Sequence, residues 1–206
     1  MSHYFHENPQ SVSDKREIAC RFNGIKFYFT SDSDVFSKKQ IDFGTSLLLD
    51  TVIAEEKNRG RVHGRLLDLG CGYGVIGVVM QRAFHHMEVL MADLNKRALS
   101  LSRENAKRNS VERVKIVESD GWSAVDGSFD VVMTNPPVRA GKQTVFSFYQ
   151  GAFEHLREKG RLYVVLQKKQ GAPSSQAFLT ELFGHCEILV KDSGYWIMLA
   201  EKNADK

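Results

Sequence analysis

From residue 65 onward, two patterns of hydrophobic residues alternate along the chain: short continuous runs and segments with helical spacing. Short apolar runs predict strands, and segments with apolar residues three or four positions apart predict helices between them. The predicted strands are RLLDLG, EVLMADL, VKIVESD, FDVVMTN, GRLYVVLQK, CEILVKDSG and YWIMLAEK. The predicted helices are VIGVVMQRAFHH, NKRALSLSRENAKRNS, VFSFYQGAFEHLREKG and PSSQAFLTELFG. This alternation predicts a Rossmann-like α/β fold, with a seven-stranded, mostly parallel sheet covered by helices on both faces and an antiparallel last pair.

The segment before this core shows a strand period around Asn23-Gly24. Asn-Gly is the favoured pair for a two-residue type I′ turn, because both central residues need a positive φ. We therefore expect an N-terminal β-hairpin with its apolar pairs on one buried face. The predicted pairs are Phe22 with Ile25, Cys20 with Phe27 and Ile18 with Phe29.

A leading helix is predicted between the hairpin and the core. Leu47, Leu48, Thr51 and Val52 recur at helical spacing, and Thr45 is a candidate N-cap. We expect one domain over residues 1–206. Its parts are an extension with the hairpin (1–39), the leading helix (40–60) and the α/β core (65–202).

The composition agrees with one folded domain and excludes several classes of protein. The chain has 206 residues, 42% of them hydrophobic and 26% charged, with a net charge of +3. Three distant cysteines form no CxxC pair, so neither a disulfide framework nor a zinc site is predicted. The polar N-terminus and the lack of a long apolar run predict a cytoplasmic protein without a membrane span. We expect a monomer or a weak dimer that needs no metal.

A glycine-rich loop joins the first core strand to the following helix in LLDLGCGYG. Gly70, Gly72 and Gly74 let the backbone turn tightly and approach a ligand at the helix N-terminus. The loop also matches GxGxxG through Gly77, so a dinucleotide cofactor is an open alternative.

Acidic residues follow the next two strands. Asp93 ends the second core strand, where a carboxylate can accept the ribose hydroxyls of an adenosine cofactor; the alternative is a helix N-cap. Asp120 follows the third strand and could face an adenine amino group, or be an ordinary turn residue before Gly121.

The fourth strand ends in Asn135-Pro136-Pro137. Both prolines lack an N–H and fix φ, and the first also pushes Asn135 into extended backbone. The result is a stiff corner that presents carbonyl groups and one amide side chain. Such a corner can also be a simple chain terminator.

Together these stretches resemble the class I S-adenosylmethionine-dependent methyltransferases. The resemblance rests on DLGCGYG, on the two acidic strand ends and on NPP, and it implies S-adenosylmethionine as cofactor. Cys71 is a small residue between glycines, with no nucleophilic role. The cofactor-binding residues that it implies are Asp68, Gly70, Cys71, Gly72, Gly74, Asp93, Leu94, Asp120, Gly121 and Asn135.

In families with this corner the methyl acceptor is adenine N6, guanine N2 or a glutamine amide. The resemblance therefore implies that the Asn135 oxygen and the Pro136 carbonyl each accept an N–H of the amine, with Pro137 keeping them rigid. The next position is often aromatic and stacks on the base, but here it is Val138. The candidates to replace that ring are Tyr4, Phe5, Phe36 and Trp122.

A closer resemblance covers nearly the whole chain, through HYFHENP, the hairpin, VFSKKQIDFGTSLLL and NPPVRAGK. It is to a short bacterial family related to the small-subunit ribosomal RNA guanine-N2 methyltransferases. This implies that Phe36 and Thr45 pack over the methionine end of the cofactor; a hydrophobic staple and a helix cap are the alternatives.

Basic residues surround the predicted acceptor site. Arg139 and Lys142 could contact RNA phosphates or be solvated loop charges. Lys168, Lys169 and the cations of helix 96–108 could extend that contact, although charged helix faces are usually only solvated.

We therefore expect an N-methyltransferase that acts on guanine N2 in ribosomal RNA, with Val138, Arg139 and Lys142 at the substrate. A protein glutamine or DNA adenine are the alternative acceptors. A nicotinamide oxidoreductase and an inert RNA-binding domain are further alternatives.

Overall fold

The computed structural model describes residues 13–33, 40–60 and 63–203. The expected contact of Phe36 with the cofactor, and the candidate rings of Tyr4 and Phe5, lie outside these residues. The strands are β1 (Arg16–Phe22), β2 (Ile25–Ser31), β3 (His63–Leu69), β4 (His86–Asp93), β5 (Val114–Glu118), β6 (Phe129–Thr134), β7 (Leu156–Gln167), β8 (Glu187–Asp192) and β9 (Tyr195–Glu201). The helices are α1 (Phe43–Asn58), α2 (Val75–Ala83), α3 (Lys96–Arg108), α4 (Lys142–His155) and α5 (Ala172–Phe183).

The sheet confirms the predicted fold class. Seven strands lie in the order β5-β4-β3-β6-β7-β9-β8, and the first five are parallel to one another. Strand β9 runs antiparallel between β7 and β8, as the last pair predicts. Helices α1, α2 and α3 pack with one hydrophobic cluster, and α4 and α5 pack with a second cluster.

The hairpin has the predicted register. Phe22 pairs with Ile25, and the turn residues Asn23 and Gly24 have φ values of 48° and 78°. The other two predicted pairs, Cys20 with Phe27 and Ile18 with Phe29, are also present. Phe27 and Phe29 are fully buried, so the predicted face is the one that packs on the core.

Two asparagines of α3 bind the hairpin to the core. The Asn105 amide accepts the Thr30 N–H at 2.7 Å and donates to the Thr30 carbonyl at 3.0 Å. One turn later, the Asn109 amide makes the same reciprocal pair with Tyr28, at 3.0 and 2.8 Å. The two side chains thus supply to β2 the hydrogen bonds that a neighbouring strand would supply, which satisfies its inner backbone groups.

Helix α1 begins differently from the prediction, and Thr45 is not its N-cap. Asp42 is the N-cap: it has extended backbone, and its Oδ2 accepts the Thr45 N–H at 3.0 Å. Thr45 instead occupies the third helical position, where its backbone N–H is the group that is capped. The hydroxyl of Thr45 is therefore available for another contact.

A buried ion pair fastens α1 to β7. The Arg161 guanidinium donates to both oxygens of Glu56 at 2.8 Å, and the Tyr163 hydroxyl donates to Glu56 Oε1 at 2.6 Å. Neither charged residue is more than 1% exposed. Because removal of one partner would leave a buried charge without compensation, this contact fixes the position of α1 on the sheet.

Several predicted helix boundaries are wrong, among them the start of α4, which the prediction placed at Val145. Helix α4 begins at Lys142 and ends at His155, whereas the prediction continued it through LREKG. The helix does not continue there because Leu156 is extended and Lys159 has a φ of 59°, and the backbone of these residues pairs with Lys202 at the start of β7. Helix α2 ends at Ala83, because the chain leaves helical backbone at Phe84 before β4 begins.

Candidate active site

The carboxyl ends of four adjacent parallel strands bring the predicted site residues to one edge of the sheet. The glycine loop follows β3, and its neighbours β4, β5 and β6 end near Asp93, Asp120 and Asn135. The Thr134 hydroxyl donates to the Leu69 carbonyl at 2.8 Å and joins the ends of β6 and β3. Ligands of open α/β sheets bind at this edge, where the strand order reverses.

The glycine loop has the backbone that the sequence predicts. Gly70, Gly72 and Gly74 have φ values of 74°, 55° and 89°, which side chains with a Cβ adopt only with strain. A Cβ at Gly72 would meet no atom within 4 Å, whereas one at Gly74 would lie 3.1 Å from Ser102 Oγ. The loop therefore faces open space at Gly72, next to the N-terminus of α2.

Gly77 has a packing role. A Cβ there would lie 2.4 Å from Met91 Sδ, and its backbone N–H donates to Asp68 Oδ2 at 2.9 Å. Close contact between α2 and the sheet accounts for this glycine, so the GxGxxG match gives no separate support to a nicotinamide cofactor.

Asp93 accepts hydrogen bonds from backbone N–H groups on both sides of its carboxylate and is not a helix cap. Its Oδ2 accepts from Gly72 and its Oδ1 from Asn95, both at 2.8 Å. The N-cap of α3 is Asn95, so the alternative role of Asp93 as that cap is wrong. Burial raises the pKa of the Asp93 carboxyl against the opposing effect of these hydrogen bonds. Leu94 follows it as a half-buried residue of the same edge.

Asp68 has an unmet hydrogen-bonding capacity. Its side chain is fully buried, and its Oδ1 has no partner among the described residues. Burial raises its pKa to about 7; the Gly77 N–H opposes this rise and the charge of Asp93 adds to it. An orphaned buried carboxyl oxygen beside an open glycine loop fits a cofactor with a cationic end.

The remaining residues predicted for the cofactor differ in exposure. Cys71 is buried, and burial raises the pKa of its thiol well above the usual value, in agreement with a residue that is no nucleophile. Asp120 is exposed at the start of a turn in which its N–H donates to Ser123 Oγ at 3.1 Å. Gly121 follows with a φ of 53°.

The Asn-Pro-Pro corner is a sequence of tight turns. The Pro136 carbonyl accepts the Val138 N–H at 2.8 Å, and Pro137 has φ −75° and ψ 76°, which is an inverse γ-turn. The Pro137 carbonyl accepts the Ala140 N–H at 2.9 Å. The Pro136 carbonyl is thus fixed in direction and keeps one lone pair for a further donor.

The Asn135 side chain contacts the start of α1. Its Nδ2 donates to Thr45 Oγ1 at 3.1 Å and to Asp42 Oδ2 at 3.3 Å. Its Oδ1 has no hydrogen bond to any described residue. Sequence reasoning missed Asp42, which lies 93 positions away from Asn135; the one local signal was an acidic residue three positions before Thr45.

Two aromatic rings lie beside these contacts, and neither was predicted. Phe43 follows Asp42 and is 44% exposed, with its ring 5.6 Å from that of Tyr195. The Tyr195 hydroxyl donates to Asp42 Oδ1 at 3.4 Å. Val138 is half-buried against the second hydrophobic cluster.

Trp122 does not present a free ring, contrary to its candidacy as a stacking residue. It lies 4.6 Å from the His155 ring with nearly parallel planes, and a Cβ at Gly151 would lie 2.3 Å from its Nε1. Gly151 and His155 both belong to α4, so the Trp122 ring packs against that helix.

Exposed cations follow β6 and β7. Arg139 and Lys142 lie in and after the turn that follows Pro137, and Lys168 and Lys169 lie in the short 3-10 turn after β7. None of the four forms an ion pair with a residue of the described ranges, although Lys142 Nζ lies 5.0 Å from the centre of the Phe146 ring. Within residues 13–33, 40–60 and 63–203 no group of His, Cys, Asp and Glu could hold a metal ion, and none of the helices there is long and apolar enough to cross a membrane.

Comparison with known proteins identifies the family of this chain. Residues 26–199 match the family model of the methyltransferase small domain. The chain is 45% identical over 202 residues to the uncharacterized protein YbxB of Bacillus subtilis (strain 168), covering 97% of this chain and 98% of that protein. It is 30% identical to the ribosomal RNA small subunit methyltransferase C of Actinobacillus pleuropneumoniae serotype 3 (strain JL03), covering 96% of this chain and 59% of that enzyme.

A solved structure shares the fold. It is the Thermus thermophilus 16S rRNA N2 G1207 methyltransferase RsmC in complex with AdoMet and guanosine, with a TM-score of 0.83 and 25% identity. The match covers 95% of this chain and 52% of that one. The chain therefore belongs to the methyltransferase small domain family, within the class I S-adenosylmethionine-dependent methyltransferases.

Proposed function

We propose that this protein transfers the methyl group of S-adenosylmethionine to an exocyclic amine, and that the acceptor is guanine N2 in small-subunit ribosomal RNA. The observation that carries the proposal is the position of the Asn-Pro-Pro corner. It follows β6, which pairs directly with β3, the strand that leads into the glycine loop. The relatives named for ribosomal RNA methylation support the choice of RNA as substrate.

In this proposal, different residues at the strand ends bind different parts of the cofactor. The open loop at Gly72 and the carboxylates of Asp68 and Asp93 hold S-adenosylmethionine, with Asp68 facing its cationic end and Asp93 its ribose. Asp120 and Gly121, after β5, border the adenine. When bound, S-adenosylmethionine supplies a methyl group on a sulfonium sulfur, which becomes a neutral thioether as its bond to that carbon breaks.

Asn135 and Pro136 make the exocyclic amine a better nucleophile through hydrogen bonds. A planar exocyclic amine is a poor nucleophile because its lone pair is delocalised. The Asn135 Oδ1 and the second lone pair of the Pro136 carbonyl each accept one N–H, which favours a tetrahedral nitrogen and stabilises the positive charge that develops on it. The nitrogen forms the new N–C bond with its lone pair and then loses one proton to solvent.

The base and the RNA backbone contact the rim of the site. We place the flipped base against Phe43 and Tyr195, which offer an exposed ring where Val138 does not. Arg139 and Lys142 contact phosphates, and Lys168 and Lys169 extend this positive rim. In this proposal the chain acts in the cytoplasm as one domain, as a monomer or a weak dimer.

Methyl transfer from labelled S-adenosylmethionine tests the proposal. The acceptors are small ribosomal subunits, total RNA, DNA and a protein extract, and the enzymes are the wild type and Asn135→Ala. We expect label in subunit RNA, recovered as N2-methylguanosine after digestion. Asn135→Ala should lower the rate about 100- to 1000-fold, as loss of a preorganised transition-state hydrogen bond does.

The other outcomes discriminate between the alternatives. Label in protein or DNA would keep the mechanism and replace the substrate. Cofactor binding by calorimetry without transfer to any acceptor would favour an inert RNA-binding domain. Equal rates for the wild type and Asn135→Ala would contradict the role of the corner.

A further inference from the structure

We infer that Asp42 is a positioning residue that holds the Asn135 amide in the one orientation able to accept an N–H from the methyl acceptor. This rests on the proposed function, because it explains how that reaction selects an amine. The role belongs to Asp42 itself and is separate from its function as the N-cap of α1. It also gives Thr45 a contact with Asn135 in addition to its expected contact with the cofactor.

An amide side chain has two ends of similar shape and opposite hydrogen-bonding character. The nitrogen end donates twice and the oxygen end only accepts. Both hydrogens of Asn135 Nδ2 have an acceptor, one on Thr45 Oγ1 at 3.1 Å and one on Asp42 Oδ2 at 3.3 Å. The oxygen end therefore points away from α1.

The carboxylate of Asp42 decides between the two orientations. An ionised carboxylate can only accept, so a rotated Asn135 would set its Oδ1 against Asp42 Oδ2 with no hydrogen between them. A threonine hydroxyl alone would tolerate both orientations, because it can donate or accept. Asp42 is thus the group that excludes the rotated amide.

Asp42 is itself fixed from several sides. Its Oδ2 accepts the Thr45 N–H, and its Oδ1 accepts from the Tyr195 hydroxyl. The Tyr195 ring packs closely on Gly44, where a Cβ would lie 2.5 Å from it. The buried pair of Glu56 and Arg161 holds the same helix on β7. These contacts keep the carboxylate in register with a strand end that is distant in sequence.

The consequence is selectivity for a donor. With the oxygen end held toward the acceptor, the corner presents acceptors only, namely Asn135 Oδ1 and the Pro136 carbonyl. An exocyclic amine satisfies both, whereas a carbonyl oxygen or a ring nitrogen without a hydrogen would place a lone pair against them. Asp42 thus contributes to the choice of an amine as well as to the rate.

Two substitutions at Asp42 separate positioning from capping. Serine is about as good an N-cap as aspartate, but its hydroxyl can donate as well as accept, so D42S keeps the helix start and no longer excludes the rotated amide of Asn135. Asparagine can place its oxygen at the Oδ2 position, which accepts from both Thr45 and Asn135, and turn its amide nitrogen to the Tyr195 hydroxyl. We expect D42S to lower kcat about tenfold and D42N to recover activity to within about threefold of the wild type.

The matched control is Asp50→Ser, on an exposed position of the same helix. It should leave kcat, the affinity for S-adenosylmethionine and the melting temperature unchanged. D42S should share the unchanged melting temperature and cofactor affinity and differ only in kcat. A large fall in its melting temperature would instead assign Asp42 a capping role alone and overturn the inference.

A double-mutant cycle with Asn135→Ala gives the deciding measurement. If Asp42 acts through Asn135, D42S adds no further loss in the Asn135→Ala background. Additive losses, or D42S with wild-type kcat, would overturn the inference and leave the proposed function intact. An inactive wild type, or an Asn135→Ala variant with full activity, would instead show that the proposed function itself had failed.

Discussion

The α3–hairpin contact and the Asn-Pro-Pro corner use the same side chain in opposite ways. Asn105 uses both ends of its amide, accepting from Thr30 and donating to the carbonyls of Thr30 and Tyr73. Asn135 uses its nitrogen end, and its oxygen has no partner within the described residues. A structural asparagine is thus fully satisfied inside the fold, whereas the candidate catalytic asparagine keeps an acceptor for a ligand.

Some cations of the two regions differ in the same manner, although Arg103 and Lys107 of α3 also form no ion pair with a described residue. On the α3 side, Lys96 pairs with Glu118, Arg108 pairs with Glu17, and Lys15 of the hairpin segment pairs with Glu104. The cations after β6 and β7 form no such pair with a described residue. The net charge of +3 does not report this difference, because it counts paired and unpaired charges alike.

The largest expected effect distinguishes the asparagines by stability. Asn105→Ala should lower the free energy of unfolding by about 3 kcal/mol, because two backbone groups of Thr30 and the Tyr73 carbonyl lose their partner. Asn135→Ala should change it by less than about 1 kcal/mol while it removes activity. Chemical denaturation measures both, with Ser100→Ala, exposed on α3, as the control. Equal destabilisation by the two alanines would break the comparison.

The unpaired cations should determine how RNA affinity depends on salt. The double variant Arg139→Ala/Lys142→Ala should lower the slope of log affinity against log salt by about 1.4, at about 0.7 per phosphate contact, and weaken binding about 25-fold at 0.1 M salt. The control is Arg103→Ala/Lys107→Ala, which removes two cations of α3. An equal change of slope for the control would place the RNA on the α3 side.

The orphaned carboxyl of Asp68 predicts a pH dependence. Its pKa in the folded protein is raised to about 7, so the unliganded protein gains stability from the protonated form at low pH and loses it as the pH rises from about 4 to about 7. A cationic cofactor requires the ionised form. Its affinity should therefore fall about tenfold for each pH unit below 7.

Calorimetric titration with S-adenosylmethionine from pH 5.5 to 8.5 measures this dependence. The matched variant is Asp68→Asn, which should bind more weakly and lose the dependence. An affinity that does not change with pH in the wild type would contradict the assignment of Asp68 to the cationic end of the cofactor.

The smallest expected effect concerns the exposed ring beside the corner. Phe43→Ala should raise KM for RNA about fivefold, or about 1 kcal/mol, because base stacking on an aromatic ring contributes at least that much. Neither kcat at saturating RNA nor the affinity for the cofactor should change, and Phe43→Trp should retain a low KM. If Phe43→Ala changed the affinity for the cofactor instead, Phe43 would belong to the cofactor-binding part of the site.

The elements of this protein were largely predictable because their signals are local. Apolar periodicity and turn residues predicted the seven core strands and the hairpin register, whereas limits of α1, α2 and α4 were misplaced by a few residues. The glycine loop was also recognisable, since its positive φ values demand glycine at alternate positions. Asn135 was identifiable because the two prolines after it are incompatible with a continuing strand.

Tertiary structure alone decided which side chains meet. Asp42 and Asn135 lie 93 positions apart, and no periodicity links them until α1 is fastened to the sheet through Glu56 and Arg161. The same holds for Asn105 against β2. Hydrogen bonds between distant residues depend on how whole elements pack, whereas helices, strands and turns depend on near neighbours in sequence. The sequence therefore determined the strands, the loop and the corner, and the fold determined which way the Asn135 amide points.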